Sequence, residues 1–115
     1  MATEGYCTDV YFEAGMEWIR GRHAAGERFF CYLPTNAPHG PFHDVPEAEL
    51  DHYRSQDLSV EKTEAGPGWP VQNLPPADRL ARIYAMIDNV DQNVGRLLAC
   101  LDELGIAADT LLLFL

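Results

Sequence analysis

Leu80, Ile83, Tyr84, Ile87, Val90, Val94, Leu97, Leu98, Leu101 and Leu104 recur at intervals of three and four residues. That repeat commits residues 79–104 to one long amphipathic helix. Gly105 stands where a left-handed C-cap belongs, and Asp109-Thr110 then leads into the apolar run Leu111-Leu112-Leu113-Phe114-Leu115. A second apolar run, Phe29-Phe30-Cys31-Tyr32-Leu33, lies upstream and is stopped by Pro34. Short apolar runs bounded by turn residues read as buried strands. The order strand, loop, helix, strand implies a right-handed crossover joining two parallel strands, at residues 29–33 and 110–115. The fold class expected is therefore α/β.

Upstream of the first run, Thr8 is a plausible N-cap, and Tyr11, Phe12, Gly15, Met16, Trp18, Ile19 and Arg22 fall at helical spacing. A helix is expected over about residues 9–22, with Gly21 and Gly26 framing its end. All eight prolines lie between Pro34 and Pro76. They make 34–78 a proline-rich loop with one short helical candidate at 47–53 and a turn cluster, Gly66-Pro67-Gly68-Trp69-Pro70. Parallel strands need cover on both faces and are poorly stable in pairs. Two such strands, the second without a polar or turn residue to close it, make the chain read as an internal segment, residues 1–115, of something larger.

Eighteen acidic residues against eight basic ones give a net charge of −10. That sign repels nucleic acid and anionic membrane surfaces, so neither is an expected partner, and any anion site must be built from local donors. No apolar run is long enough to cross a bilayer, and no signal peptide is expected at Met1. Cys7, Cys31 and Cys100 form no C-x-x-C pair and read as free thiols.

The first apolar run delivers Thr35-Asn36-Ala37-Pro38-His39-Gly40-Pro41 just past its end. Ligands bind in that position in α/β folds. Pro38 and Pro41 fix φ on either side of His39 and narrow the conformations open to its peptide. His39 can therefore act as a ligand, a general acid or an anion donor, against the bland reading of a local hydrogen-bonding histidine. His39, His43, Asp44 and His52 also invite a zinc reading, but Pro38, Pro41 and Pro46 prevent the helix that an H-x-x-x-H pair wants. No metal site is expected from them. Asp91 is expected on the apolar face of the long helix with a structural hydrogen bond. Gly95 is expected to mark a close approach of another backbone. Trp18 and Trp69 read as a core residue and a loop anchor, and Glu47, Glu49 and Asp51 as a solvated helix face.

Taken together, residues 29–41 (FFCYLPTNAPHGP) and 84–110 (YAMIDNVDQNVGRLLACLDELGIAADT) resemble the sulfatase family. Thr8-Asp9 matches a helix-opening segment of that family, Ala37 to Pro41 its A-P-H-x-P turn, and Tyr84, Asp91, Val94 and Gly95 its Y-x-x-x-(I/V)-x-x-x-D-x-x-(V/I)-G helix. The resemblance implies hydrolysis of sulfate esters in an alkaline-phosphatase-like α/β fold, with calcium or another divalent cation and a formylglycine made from cysteine. His39 is the residue carried over, as the sulfate contact and general acid for the leaving oxygen. Asn36 is a weaker substrate-binding candidate and Thr35 a neighbour of it.

The chain departs from the family where the nucleophile belongs. Cys7-Thr8-Asp9-Val10-Tyr11 lacks the proline and arginine of a C-x-P-x-R segment, and Cys31 and Cys100 match no better. The family's acidic metal ligands fall before this region or in a D-N-G turn after the second strand. The expectation is thus a sulfatase fragment that carries the sulfate-side histidine, binds neither calcium nor formylglycine itself, and is inactive alone. Its expected partners are a sulfate-ester small molecule or sulfated carbohydrate and the remainder of the sulfatase domain. The resemblance also fits a periplasmic or secreted parent. Two alternatives stay open: a stand-alone binding or interaction module working through its proline-rich loop, and a fragment of a phosphate- or phosphonate-ester hydrolase of the same superfamily.

Overall fold

The computed structural model describes residues 4–40, 42–58 and 75–115. Pro41 and the Gly66 to Pro70 turn cluster with Trp69 lie outside the described residues. The elements in chain order are α1 (Cys7–Ala24), α2 (Glu47–Arg54), α3 (Pro76–Glu103) and a single 3-10 turn at Ala107–Asp109. They form two compact units, Met1–Thr35 with Asp91–Leu115 and Asn36–Val90, so α3 contributes to both.

Among the described residues there is no strand, which overturns the expected α/β fold with two parallel strands. Residues 27–36 and 110–115 carry no regular structure. An extended backbone becomes a strand only when a second extended backbone lies about 4.8 Å away to pair its N–H and C=O groups. Among the described residues neither apolar run has such a neighbour. Residues 29–33 are instead held by side chains: Leu33 sits where α1 presents Gly15, whose added Cβ would lie 2.6 Å from Leu33 Cδ2. Phe29 meets Trp18 edge to face at 6.1 Å between ring centroids. The other face of the run stays in solvent, with Phe30 87% and Tyr32 75% exposed.

In the first unit, α1 buries Thr8, Phe12, Gly15, Met16 and Ile19, one stripe at helical spacing. Thr8 is not the cap expected of it. The helix starts at Cys7 after Tyr6, which makes no side-chain cap, and Thr8 lies fully buried in the first turn. Trp18 is not a core residue either: it is 43% exposed, with the Arg22 guanidinium 5.8 Å above its ring. Gly26 ends α1 at φ 68°, where a side chain would be strained. Its N–H donates to His23 O at 2.9 Å and that of Glu27 to Arg22 O at 3.0 Å, satisfying two carbonyls of the last turn. Gly105 ends α3 in the same way at φ 69°, with Gly105 N–H on Asp102 O and Ile106 N–H on Leu101 O.

The buried face of α3 is rotated from the apolar repeat. Ala81, Ala85, Met86, Asn89, Val90, Asn93, Cys100 and Leu101 are buried, whereas Ile87 and Leu98 are exposed. Asn93 reaches this face because its polar atoms are satisfied. Its Nδ2 donates to Asp9 Oδ1 at 2.6 Å, and its Oδ1 accepts from Arg96 Nη1 at 2.9 Å. Arg96 also pairs with Glu13. Asp91 is exposed, so its carboxylate is solvated and needs no buried partner. A Cβ added at Gly95 meets nothing within 4 Å, so the expected close approach is absent among the described residues.

In the second unit, Leu50 packs against Ala81 and Ala85, with Val45, Tyr53 and Leu58 around them. Alanines on α3 let α2 approach closely. Tyr53 stacks on Tyr84 at 5.5 Å and 31°. Asp78 at the start of α3 joins the helices: Oδ1 accepts from Arg54 Nε at 2.8 Å and Oδ2 from Arg82 Nε at 2.8 Å.

Two outcomes follow for stability. Gly95→Ala should raise the unfolding free energy of the chain by about 1 kcal/mol in urea titration, because the helix gains propensity without a clash. The hydrogen bond from Arg82 holds the Asp78 carboxyl below the ordinary carboxylate range, with Arg54 adding to it and burial opposing. A carboxyl lowered on folding stabilises fully above its unfolded value and loses that contribution as pH falls through the folded value. Acid titration should therefore loosen the α2–α3 junction below about pH 4. Asp78→Asn should abolish that acid dependence and cost about 1–3 kcal/mol at neutral pH.

Candidate functional site

His39 lies in a four-residue turn, Asn36 to His39, closed by the His39 N–H donating to Asn36 O at 3.0 Å. The Ala37–Pro38 peptide inside it is cis. The imidazole Nδ1 lies 2.7 Å from Gly40 O. A carbonyl only accepts, so Nδ1 carries the hydrogen, and the free valence of the ring is at Nε2. The ring is exposed. In its neutral form Nε2 is a base; in its charged form Nε2–H is a donor to an anionic oxygen and an acid for a leaving group.

Asn36 belongs to the same turn, which its carbonyl closes, and its side chain is exposed. Thr35 is half-buried. The structure thus brings Asn36 and His39 together. It does not gather His43, Asp44 and His52: among the described residues no group of three or more His, Cys, Asp or Glu side chains can hold a metal ion. A calcium cage therefore does not fit the described residues. The cysteines do not fit a formylglycine precursor either. Cys100 is buried in α3, and Cys7 and Cys31 are half-buried outside any C-x-P-x-R context, with burial pushing the Cys31 thiol pKa up.

Sequence reasoning missed the arginine that anchors the loop after His39. Arg82 Nη1 donates to Phe42 O at 2.8 Å, and lies 3.4 Å from His43 O. Its side chain is 15% exposed. Phe42 is buried, and its ring lies 3.6 Å from where a Cβ on Gly40 would stand. The available signal was the Asp78-x-x-x-Arg82 spacing, which puts the two side chains on one helix face. In the other unit α1 and α3 border an open cavity of about 210 Å³ whose charged lining includes Glu13, Arg20, Arg96 and Glu103. Its lining includes Cys100 but neither His39 nor Asn36. Among the described residues no helix is long and apolar enough to cross a membrane.

The comparisons agree with the motif. A family model described as Sulfatase matches residues 2–115. No curated protein and no solved structure matches the chain. The chain belongs to the sulfatase family.

Proposed function

We propose that this chain forms the sulfate-side wall of a sulfuric ester hydrolase, with His39 as its acid. The observation that carries the reading is the fixed imidazole: Nδ1 is engaged by Gly40 O, which leaves an exposed Nε2 as the working atom. The Nε2–H of the charged ring donates to the bridging oxygen of a sulfate ester and neutralises the charge that builds there as the S–O bond breaks. Asn36, in the same turn, lies on the substrate side. In this reading the nucleophile and the divalent cation come from the rest of the sulfatase domain, because the described residues offer no set of ligands for a cation. The substrate class is a sulfate ester, aryl or carbohydrate.

The same reading makes the isolated chain inactive. One donor without a nucleophile or cation supplies little of the rate enhancement such a reaction requires. Exposed Phe30, Tyr32, Leu111, Leu113 and Phe114 support a body of polypeptide lying against these segments.

Aryl sulfate turnover with calcium separates the outcomes. In the complete domain, His39→Ala should lower kcat by about 10²-fold. It should also remove the alkaline limb of the pH profile, since an acid loses its proton as pH rises. A loss of only a few fold, with the limb intact, would show that His39 is not the acid. Turnover by the isolated chain that His39→Ala abolishes would contradict its inactivity.

A further inference from the structure

We infer that Arg82, braced by Asp78, is a positioning residue that sets the orientation of the His39 imidazole. Four contacts in sequence run from Asp78 through Arg82 to His39. Asp78 Oδ2 accepts from Arg82 Nε at 2.8 Å, fixing the guanidinium on α3. Arg82 Nη1 donates to Phe42 O at 2.8 Å and so holds the loop three residues beyond His39. The Phe42 ring stands 3.6 Å from where a Cβ on Gly40 would be, so it closes the space beside Gly40. Gly40 O in turn accepts from His39 Nδ1 at 2.7 Å. The loop from Asn36 to Pro46 contains no helix or strand among its described residues, and these contacts tie it to α3.

The chemistry suits arginine. Its planar fork presents Nε to the carboxylate while Nη1 reaches a carbonyl, and a single ammonium cannot occupy both places with that geometry. A hydrogen bond from a charged donor is also stronger than a neutral one. Arg82 touches no candidate substrate position. Its effect reaches the reaction through the ring orientation it preserves: with Nδ1–H held on Gly40 O, the proton gained when the ring becomes charged enters at Nε2, and that is the one transferred.

The inference rests on the sulfate-side reading of His39 for its consequence, but its test needs no substrate, so the two can fail separately. Long-range ¹H–¹⁵N spectra of the full chain at about pH 8, above the ordinary imidazole range, read the tautomer directly. The unsubstituted chain should show His39 in the Nδ1–H form. Arg82→Gln should convert most of it to the Nε2–H form and lower the protection of the His39 amide against exchange about tenfold. Arg54→Gln, which leaves Arg82 on Phe42 O, should show the unsubstituted tautomer and protection. A folded Arg82→Gln chain with His39 unchanged would overturn the inference, as would Arg54→Gln producing as large a change. If Arg82→Gln does not fold, Asp78→Asn replaces it: a fall in the Nδ1–H population supports the brace, and an unchanged tautomer overturns it.

Discussion

The described structure around His39 depends on one guanidinium. Arg82 rises from the first turns of α3 and binds the carbonyl of Phe42, a residue whose backbone has no helix or sheet in which to spend that acceptor. A buried carbonyl left unpaired is costly, and a charged donor satisfies it better than a neutral one. Asp78 makes the arrangement affordable by offsetting the charge at hydrogen-bond distance, and through Arg54 it draws α2 into the same network. The apolar contacts of Leu50 with Ala81 and Ala85 supply non-directional attraction between α2 and α3. The ionic contacts give the loop its direction.

The other unit is built by a different balance. Phe12, Met16 and Ile19 of α1 are buried alongside Cys100 and Leu101 of α3, and Asn93 takes a place among them with each polar side-chain atom matched to Asp9 or Arg96. A buried amide is tolerated on those terms. The runs at 29–33 and 111–115 remain half-used, one side of the first resting on Gly15 and Trp18 while large apolar side chains face water. In the proposed reading these exposed side chains are where the rest of the domain lies.

What the sequence revealed follows from how local each signal is. The three-and-four repeat from Leu80 to Leu101 and the stripe around Phe12 to Ile19 lie on α3 and α1, because helical hydrogen bonds close within the segment itself. Gly105 was readable as a cap for the same reason. The strands were not: an apolar run states that burial is wanted, but whether a ladder forms depends on a partner backbone far away in the chain. The face of α3 was also misjudged, since Asn93 enters the interior through partners such as Asp9 that periodicity does not see. At the candidate site, A-P-H singled out His39 and its turn, whereas the tie from Arg82 to a carbonyl forty residues away left only an Asp78-Arg82 spacing in the sequence.

The proposed function turns on one claim, that His39 Nε2 faces the sulfate group of the substrate. A crystal structure of the complete sulfatase domain with inorganic sulfate bound tests it most directly. The account predicts a sulfate oxygen within hydrogen-bond distance of His39 Nε2, about 2.7–3.2 Å, with Nδ1 still on Gly40 O. A sulfate bound at the catalytic centre with the imidazole turned away from it, or with Nδ1 as the contacting atom, would contradict the account.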